Sequence, residues 1–380
     1  MKKIGKFTFL SLKITALLIL TIFCLTETAV VKDAVYEAVI RCLNTVIPSL
    51  YAMMVISALL TESGIIGTIP KKISSFGSVV FGMNNNIFPI FIFSLFAGYP
   101  TGTKMLCSQY ENGLISKKEA ELFSGLCFGA GPAFIYGCIS SCLYGNESAG
   151  LIILISTVSA NLILAFAISF FTRSASAANQ SVSSSFILNS KIICESVSSG
   201  GRSITSICTM ILAFSVITAF LRETGVILAA SDLLSAYTSL SDSTITALLC
   251  TVLDVTAADK LPCGNYTLLP IICGLVSFGG ICVLLQISAI TSGKISLFPM
   301  LILRVCAALV SGIICHFISP YLLADTVISA AAINISPCRS STPLPSLILI
   351  LMTFIVFYES DKLNKCGKQR KNNTKFPLFH

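Results

Sequence analysis

Two short stretches of this chain hold the residue types from which a polar site could be built. The first is Gly98-Tyr99-Pro100-Thr101-Gly102, inside a run of 31 uncharged residues, 73–103. Proline lacks an amide donor and glycine tolerates unusual dihedrals, so a helix does not continue through this turn. The second is Asp254-Val255-Thr256-Ala257-Ala258-Asp259-Lys260, which follows 11 uncharged residues, 243–253. In apolar surroundings the first offers backbone groups, a phenol and a hydroxyl, and the second a carboxylate and a hydroxyl. Together these could recognise a small polar solute or an ion. Ionisable groups at membrane depth are costly and are functional candidates by default. Asp254 is the better placed acid, because Asp259 and Lys260 also read as a solvated pair near a surface. By its local residues alone, the Gly-Tyr-Pro-Thr-Gly turn reads equally as a packed turn.

Further residues accompany these two stretches. Gly131-Pro132 and Gly279-Gly280 interrupt the helices that follow each of them. Small residues there allow close helix approach or unwinding beside a ligand. Gln286, six residues after Gly280, is a polar side chain in a charge-free window and needs a partner, either another helix or a solute. Glu62 and Glu223 each precede Ser/Thr-Gly and read as helix C-termini at an interface, with proton coupling as the alternative.

Other chemistry is missing from the chain. The sequence carries no P-loop, no G-x-S-x-G, no H-E-x-x-H and no nucleotide fingerprint. His316 stands alone in an apolar run. The 16 cysteines form no C-x-x-C pair and read as reduced, apolar-like thiols rather than a metal site. We read no enzyme, no cofactor and no metal. The net charge of +8 comes largely from Lys2, Lys3 and Lys6 at one end and Lys362, Lys365, Lys368, Arg370, Lys371 and Lys375 at the other. These are topology signals or contacts to anionic lipid, not a nucleic-acid surface.

The elements that must position these residues are membrane helices. Apolar residues make up 54% of 380 positions and charged residues 11%. Charge-free windows fall at 42–61, 122–146, 148–172, 203–221, 261–293, 305–324 and 340–358. Each is about as long as, or longer than, the ~20 residues that cross ~30 Å of hydrocarbon. The segment Ile14–Leu25 reads as an uncleaved first span, because no convincing cleavage site follows it.

The chain also contains part of itself twice. Arg41–Gly64 and Arg202–Gly225, 161 positions apart, agree at eight of 24 positions: Arg41/Arg202, Ala52/Ala213, Val55/Val216, Ile56/Ile217, Ala58/Ala219, Leu60/Leu221, Glu62/Glu223 and Gly64/Gly225. Lys13 and Arg304 fall within spans, and Lys104 and Lys260 within hairpins. Distributing the spans so that the other Lys and Arg lie inside leaves only Lys32, Arg41, Arg222 and Arg339 outside. The repeated helix then points inward in the first half and outward in the second.

The expectation is an all-α polytopic membrane protein. It has about eight transmembrane helices and two re-entrant hairpins in an inverted repeat, with both termini cytoplasmic. Its parts are an N-terminal span (1–33), a first repeat (34–173), a Ser-rich linker (174–190), a second repeat (191–319), and a final span with a basic tail (320–380). Ser116 and Glu119 have capping-box spacing and start the helix after the first hairpin.

At these residues the chain resembles a known family. GYPTGTK, ENGLISKKEAE, FGAGPAFI and SFGGICVLLQ are similar to the YlbJ-type sporulation integral membrane proteins, which carry two Gate, or nucleoside-recognition, domains. The resemblance covers about 40–318 and implies a transporter-like fold in the cell membrane. It also implies a role in spore formation, a small polar solute that could be nucleoside-like, and coupling to Na+ or H+. By the same resemblance, the substrate pathway runs past Gly98, Tyr99, Pro100, Thr101, Gly102, Gly131, Pro132, Asp254, Thr256, Gly279, Gly280 and Gln286. The family's second tip reads Glu-Ile-Thr-Asn-Gly. Here Asp254 and Thr256 keep the acid and the hydroxyl, but Ala257 and Ala258 replace Asn-Gly. No GTPase domain accompanies the repeats, so iron transport of the FeoB kind is not implied. A structural or assembly role in the spore, without transport, is the alternative.

Overall fold

The computed structural model describes residues 2–68, 71–172 and 186–323, and all regular elements among them are helical. Residues 174–185 of the Ser-rich linker, the last span, Arg339 and the basic tail lie outside the described residues.

Helix α1 (Lys2–Thr26) is followed at Glu27 by a bend into α2 (Thr28–Arg41). A π-helical turn, Cys42–Val46, joins α2 to α3 (Ile47–Glu62) without a break, giving one helical rod of 35 residues. The helix that holds the charge-free window 42–61 therefore begins near residue 28. Cys42–Val46 contains no proline or glycine to stop the helix. Pro48, in the first turn of α3, lacks an amide donor, and the wider π turn just before it accommodates that loss.

The chain then forms α4 (Lys71–Phe81), α5 (Ile87–Ala97), α6 (Thr101–Glu111) and α7 (Lys117–Ser124). The capping box at α7 forms as its spacing predicts, with Glu119 N donating to Ser116 Oγ at 3.2 Å and Ser116 N to Glu119 Oε2 at 2.8 Å. Next come α8 (Pro132–Phe134), which runs on as a π helix to Tyr144, and α9 (Glu147–Thr172). The second half comprises α10 (Ser190–Glu223), α11 (Val226–Ser235), α12 (Asp242–Leu253), α13 (Leu269–Phe278), α14 (Gly280–Ile290) and α15 (Leu297–Leu323).

Among the described residues, five helical stretches are long and apolar enough to cross a membrane: Thr28–Glu62, Glu147–Phe170, Ser190–Glu223, Tyr266–Ile290 and Leu297–Leu323. Of the other three expected spans, the first contributes a shorter apolar helix, Lys13–Thr26. The second, over about 116–144, is interrupted from Gly125 to Gly131, and the third lies outside the described residues. α5 and α6 have 11 residues each, or about 16 Å at 1.5 Å per residue, roughly half the hydrocarbon thickness.

The repeated helices α3 and α10 pack against each other and run antiparallel. Ser196 Oγ donates to Glu62 Oε2 at 3.2 Å, and a Cβ on Gly200 would lie 2.6 Å from Val55 Cγ2. Farther along, Val46 and Met54 join Ile204, Ile207 and Ile211 in one buried cluster, and the Phe23 and Phe220 rings lie 5.2 Å apart. Both copies end as their Glu-Ser/Thr-Gly pattern predicts, α3 at Glu62 and α10 at Glu223, with Gly64 and Gly225 at positive φ.

Candidate functional site

The first tip is a tight helix–turn–helix. α5 ends where Gly98 takes φ 82° and ψ 146°, a conformation open to glycine, and the Tyr99–Pro100 peptide is cis. Thr101 N donates to Gly98 O at 3.1 Å and Lys104 N to Pro100 O at 3.2 Å, so α6 starts at once. Thr101 is fully buried, its Oγ1 donating back to Ala97 O at 3.4 Å. A Cβ on Gly102 would sit 2.3 Å from Cys127 O, so this glycine lets α6 press against the interruption that follows α7.

The second tip is built differently. α12 ends at Asp254, whose two carboxylate oxygens accept from Thr256 N at 3.0 Å and Thr256 Oγ1 at 2.8 Å. This arrangement caps a short 3-10 helix, Val255–Lys260, in place of a returning α-helical arm. The physical reason is local: the carboxylate bonds the backbone two residues on, and Pro262 supplies no donor to extend a helix. Asp254 is 4% exposed and forms no ion pair among the described residues. Lys260 lies 2.6 Å from Glu37, at the rim, and is paired as a partly exposed group. Lys104, the lysine of the first hairpin, instead donates to Ser199 Oγ at 2.9 Å and Ser203 Oγ at 2.8 Å on α10.

The two interruptions pack onto the two tips. A Cβ on Gly131 would lie 3.3 Å from Gly98 N and Cα, and Gly131 caps the helix that Pro132 opens. A Cβ on Gly280 would lie 3.0 Å from Val255 N, while Gly279, at φ 85°, breaks α13 from α14. The halves meet at Phe128, whose ring stacks on Tyr99 with centroids 4.7 Å apart and lies where a Cβ on Gly279 would be, 2.5 Å from Phe128 Cζ.

One small cavity, about 20 Å³, is lined by Gly98, Tyr99, Gly131, Thr256 and Gln286 together with Ser49 and apolar residues such as Leu50, Phe134, Ile207 and Val283. Five of the twelve sequence candidates thus share one cavity wall. Pro100, Thr101, Gly102, Pro132, Asp254, Gly279 and Gly280 do not line it but shape the backbone around it. The Tyr99 hydroxyl is buried and has no hydrogen-bond partner among the described residues. Gln286 Nε2 donates to Cys282 Sγ at 3.3 Å on its own helix. A volume near 20 Å³ admits one water or a bare ion, since a water needs roughly 10–15 Å³ by this measure.

A second cavity of about 200 Å³ opens beside α3, α6 and α10 and is polar, with Ser57, Thr61, Glu62, Lys104, Glu111 and Ser199 in its wall. Sequence reasoning passes over Lys104 as a hairpin cation and Arg304 as a charge within a span. Arg304 is fully buried and bonded to Phe128 O, Ser277 O and Asn161 Oδ1. An arginine inside an otherwise charge-free run is the available signal. No group of three or more His, Cys, Asp or Glu among the described residues is arranged to hold a metal ion.

No protein-family model, characterised protein or solved structure matches this chain.

Proposed function

We propose that the chain is a multi-pass cell-membrane protein with about eight spans, in which two inverted repeats present re-entrant tips to a shared mid-depth site. There it binds or moves a small polar solute during spore formation. The observation that carries this reading is that residues of both tips and Gln286 line one cavity. The antiparallel packing of the repeated helices α3 and α10 supports inversion. The interruptions that press on each tip are the kind of irregular backbone that membrane proteins retain beside a pathway.

The topology proposal has support of its own. Glu111 pairs with Lys294 at 2.6 Å and Ser296 N donates to Glu121 at 3.1 Å, so segments assigned to the cytoplasm by charge touch one another. Gly264 N donates to Leu143 O at 2.6 Å, joining two segments assigned outside. The central cavity holds an ion or a water, whereas ligand pockets for larger solutes run to ~300–1,000 Å³. A nucleoside-like solute would therefore approach through the polar cavity at Lys104 and require the tips to part. Asp254, buried without an ion pair, is the group we assign to proton or Na+ coupling.

A second reading has one observation in its favour. The central cavity is small and mostly apolar-walled, as expected of a packed scaffold with a structural role in spore assembly.

Uptake into proteoliposomes decides between them. A panel of nucleosides, amino acids and small carboxylates is presented with and without Na+ and proton gradients. Gradient-dependent uptake by the wild type, lost in Asp254→Asn, is expected. Equal behaviour of wild type and variant across the panel would sink the transport reading.

A further inference from the structure

We infer that Arg304 is a positioning residue that holds both helix interruptions in register and, through the Phe128 ring, fixes Tyr99 at the central cavity. A guanidinium that is fully buried within a membrane-spanning helix is expensive unless its donors are used. Arg304 uses both Nη groups, Nη1 on the carbonyls at the two breaks and Nη2 on Asn161, while its Nε has no partner among the described residues.

The Phe128 carbonyl has no helical partner, because residue 132, four on, is a proline without an amide hydrogen. The Ser277 carbonyl lies in the last turn of α13, which the positive φ of Gly279 ends. Arg304 Nη1 donates to both carbonyls, at 3.3 Å each. The Ser277 carbonyl, at the C-terminal end of α13, carries partial negative charge that a cation offsets, and the Phe128 carbonyl, in the non-helical stretch after α7, gains a charge-assisted hydrogen bond. Nη2 donates to Asn161 Oδ1 at 2.7 Å, and Asn161 Nδ2 donates to Phe128 O at 2.9 Å, closing a ring of bonds among α9, α15 and the first interruption. The guanidinium carbon also lies 4.9 Å from the centre of the Phe128 ring.

Phe128 carries the effect to the tips. Its other contacts are Tyr99, stacked at 4.7 Å, and the Gly279 backbone. One side chain on α15 therefore fixes a carbonyl from each half and the ring between them. Lysine cannot replace it, because a single ammonium cannot span three acceptors in the planar fork that arginine provides. This role presupposes that the tips form the working site, and its test makes no use of transport.

The test is site-resolved alkylation of native cysteines in the purified full-length chain, read by mass spectrometry. Cys127 adjoins Phe128 and Cys282 lies just past Gly279, and both are buried. Cys107 on α6 and Cys315 near the far end of α15 are buried controls. Arg304→Gln, Arg304→Lys and Asn161→Ala are each expected to speed alkylation of Cys127 and Cys282 by about tenfold or more, with the controls unchanged. Failure of Arg304→Lys to restore protection distinguishes fork geometry from charge alone. Unchanged rates at Cys127 and Cys282, full protection in Arg304→Lys, or a uniform rise at all four cysteines would each overturn the inference. If Arg304→Gln does not accumulate, the Lys and Asn161 variants carry the same test.

Discussion

Gly131 lies against Gly98 so closely that a Cβ on Gly131 would sit 3.3 Å from both the nitrogen and the Cα of Gly98. Two backbones, one from the first tip and one from the interruption behind it, meet there with no side chain between them. The neighbours are main-chain atoms, which cannot step aside as a flexible side chain can.

Gly131→Ala is therefore expected to destabilise the protein by about 1–3 kcal/mol, the usual cost of overpacking. Gly102→Ala should cost more, because its Cβ would be 2.3 Å from Cys127 O. With 16 cysteines and no tryptophan, a thiol-reactive dye during heating is the suitable readout. A midpoint unchanged in both variants would contradict the close packing.

The packing of the repeated helices predicts a compensating pair. Gly200→Ala places a methyl 2.6 Å from Val55 Cγ2, and Val55→Ala removes the obstructing atom. The single Gly200 variant should lose about 1–3 kcal/mol, while the double variant should recover part of that loss. Additive losses in the thermal assay would mean that the two helices do not meet at these residues.

Asp254 separates stability from chemistry. Asp254→Ala leaves the partly buried Thr256 amide without its acceptor and should cost about 1–3 kcal/mol. Asp254→Asn keeps one oxygen for that amide, and the Thr256 hydroxyl can rotate to accommodate the other group. The Asn variant should therefore be the more stable of the two, yet inactive in ion-coupled uptake. Equal thermal midpoints for Ala and Asn would show that the cap contributes nothing.

Native cysteines report orientation. Cys142 and Cys263 are exposed next to the Leu143–Gly264 contact, and Cys194 is exposed near the start of α10. A membrane-impermeant maleimide applied to intact cells is expected to label the first two, and Cys194 only after permeabilisation. The reverse pattern would invert the proposed topology.

Much of the local architecture is legible in the residues. Ser116 and Glu119 announce a helix start, Glu-Ser/Thr-Gly announces two helix ends, and Gly-Tyr-Pro-Thr-Gly announces a turn, because caps, prolines and glycines act within a few residues. Apolar runs announce helices long enough to cross a membrane, because length and hydropathy are properties of the chain itself.

What the sequence could not determine depends on groups far apart in the chain. The second tip reads in the sequence as a hairpin with a returning arm. The local Asp254–Thr256 bond makes its 3-10 turn, but that this turn lies against the 269–278 helix is set only by tertiary packing. Lys104 and Lys260 both read as hairpin lysines, yet one meets serines on α10 and the other Glu37. Arg304 reads as a stray charge until three acceptors, from residues 128, 161 and 277, converge on it. Composition and punctuation are local and set the helices and their breaks. Which break faces which tip, and which buried charge is satisfied, is fixed only when distant segments share the same few ångströms.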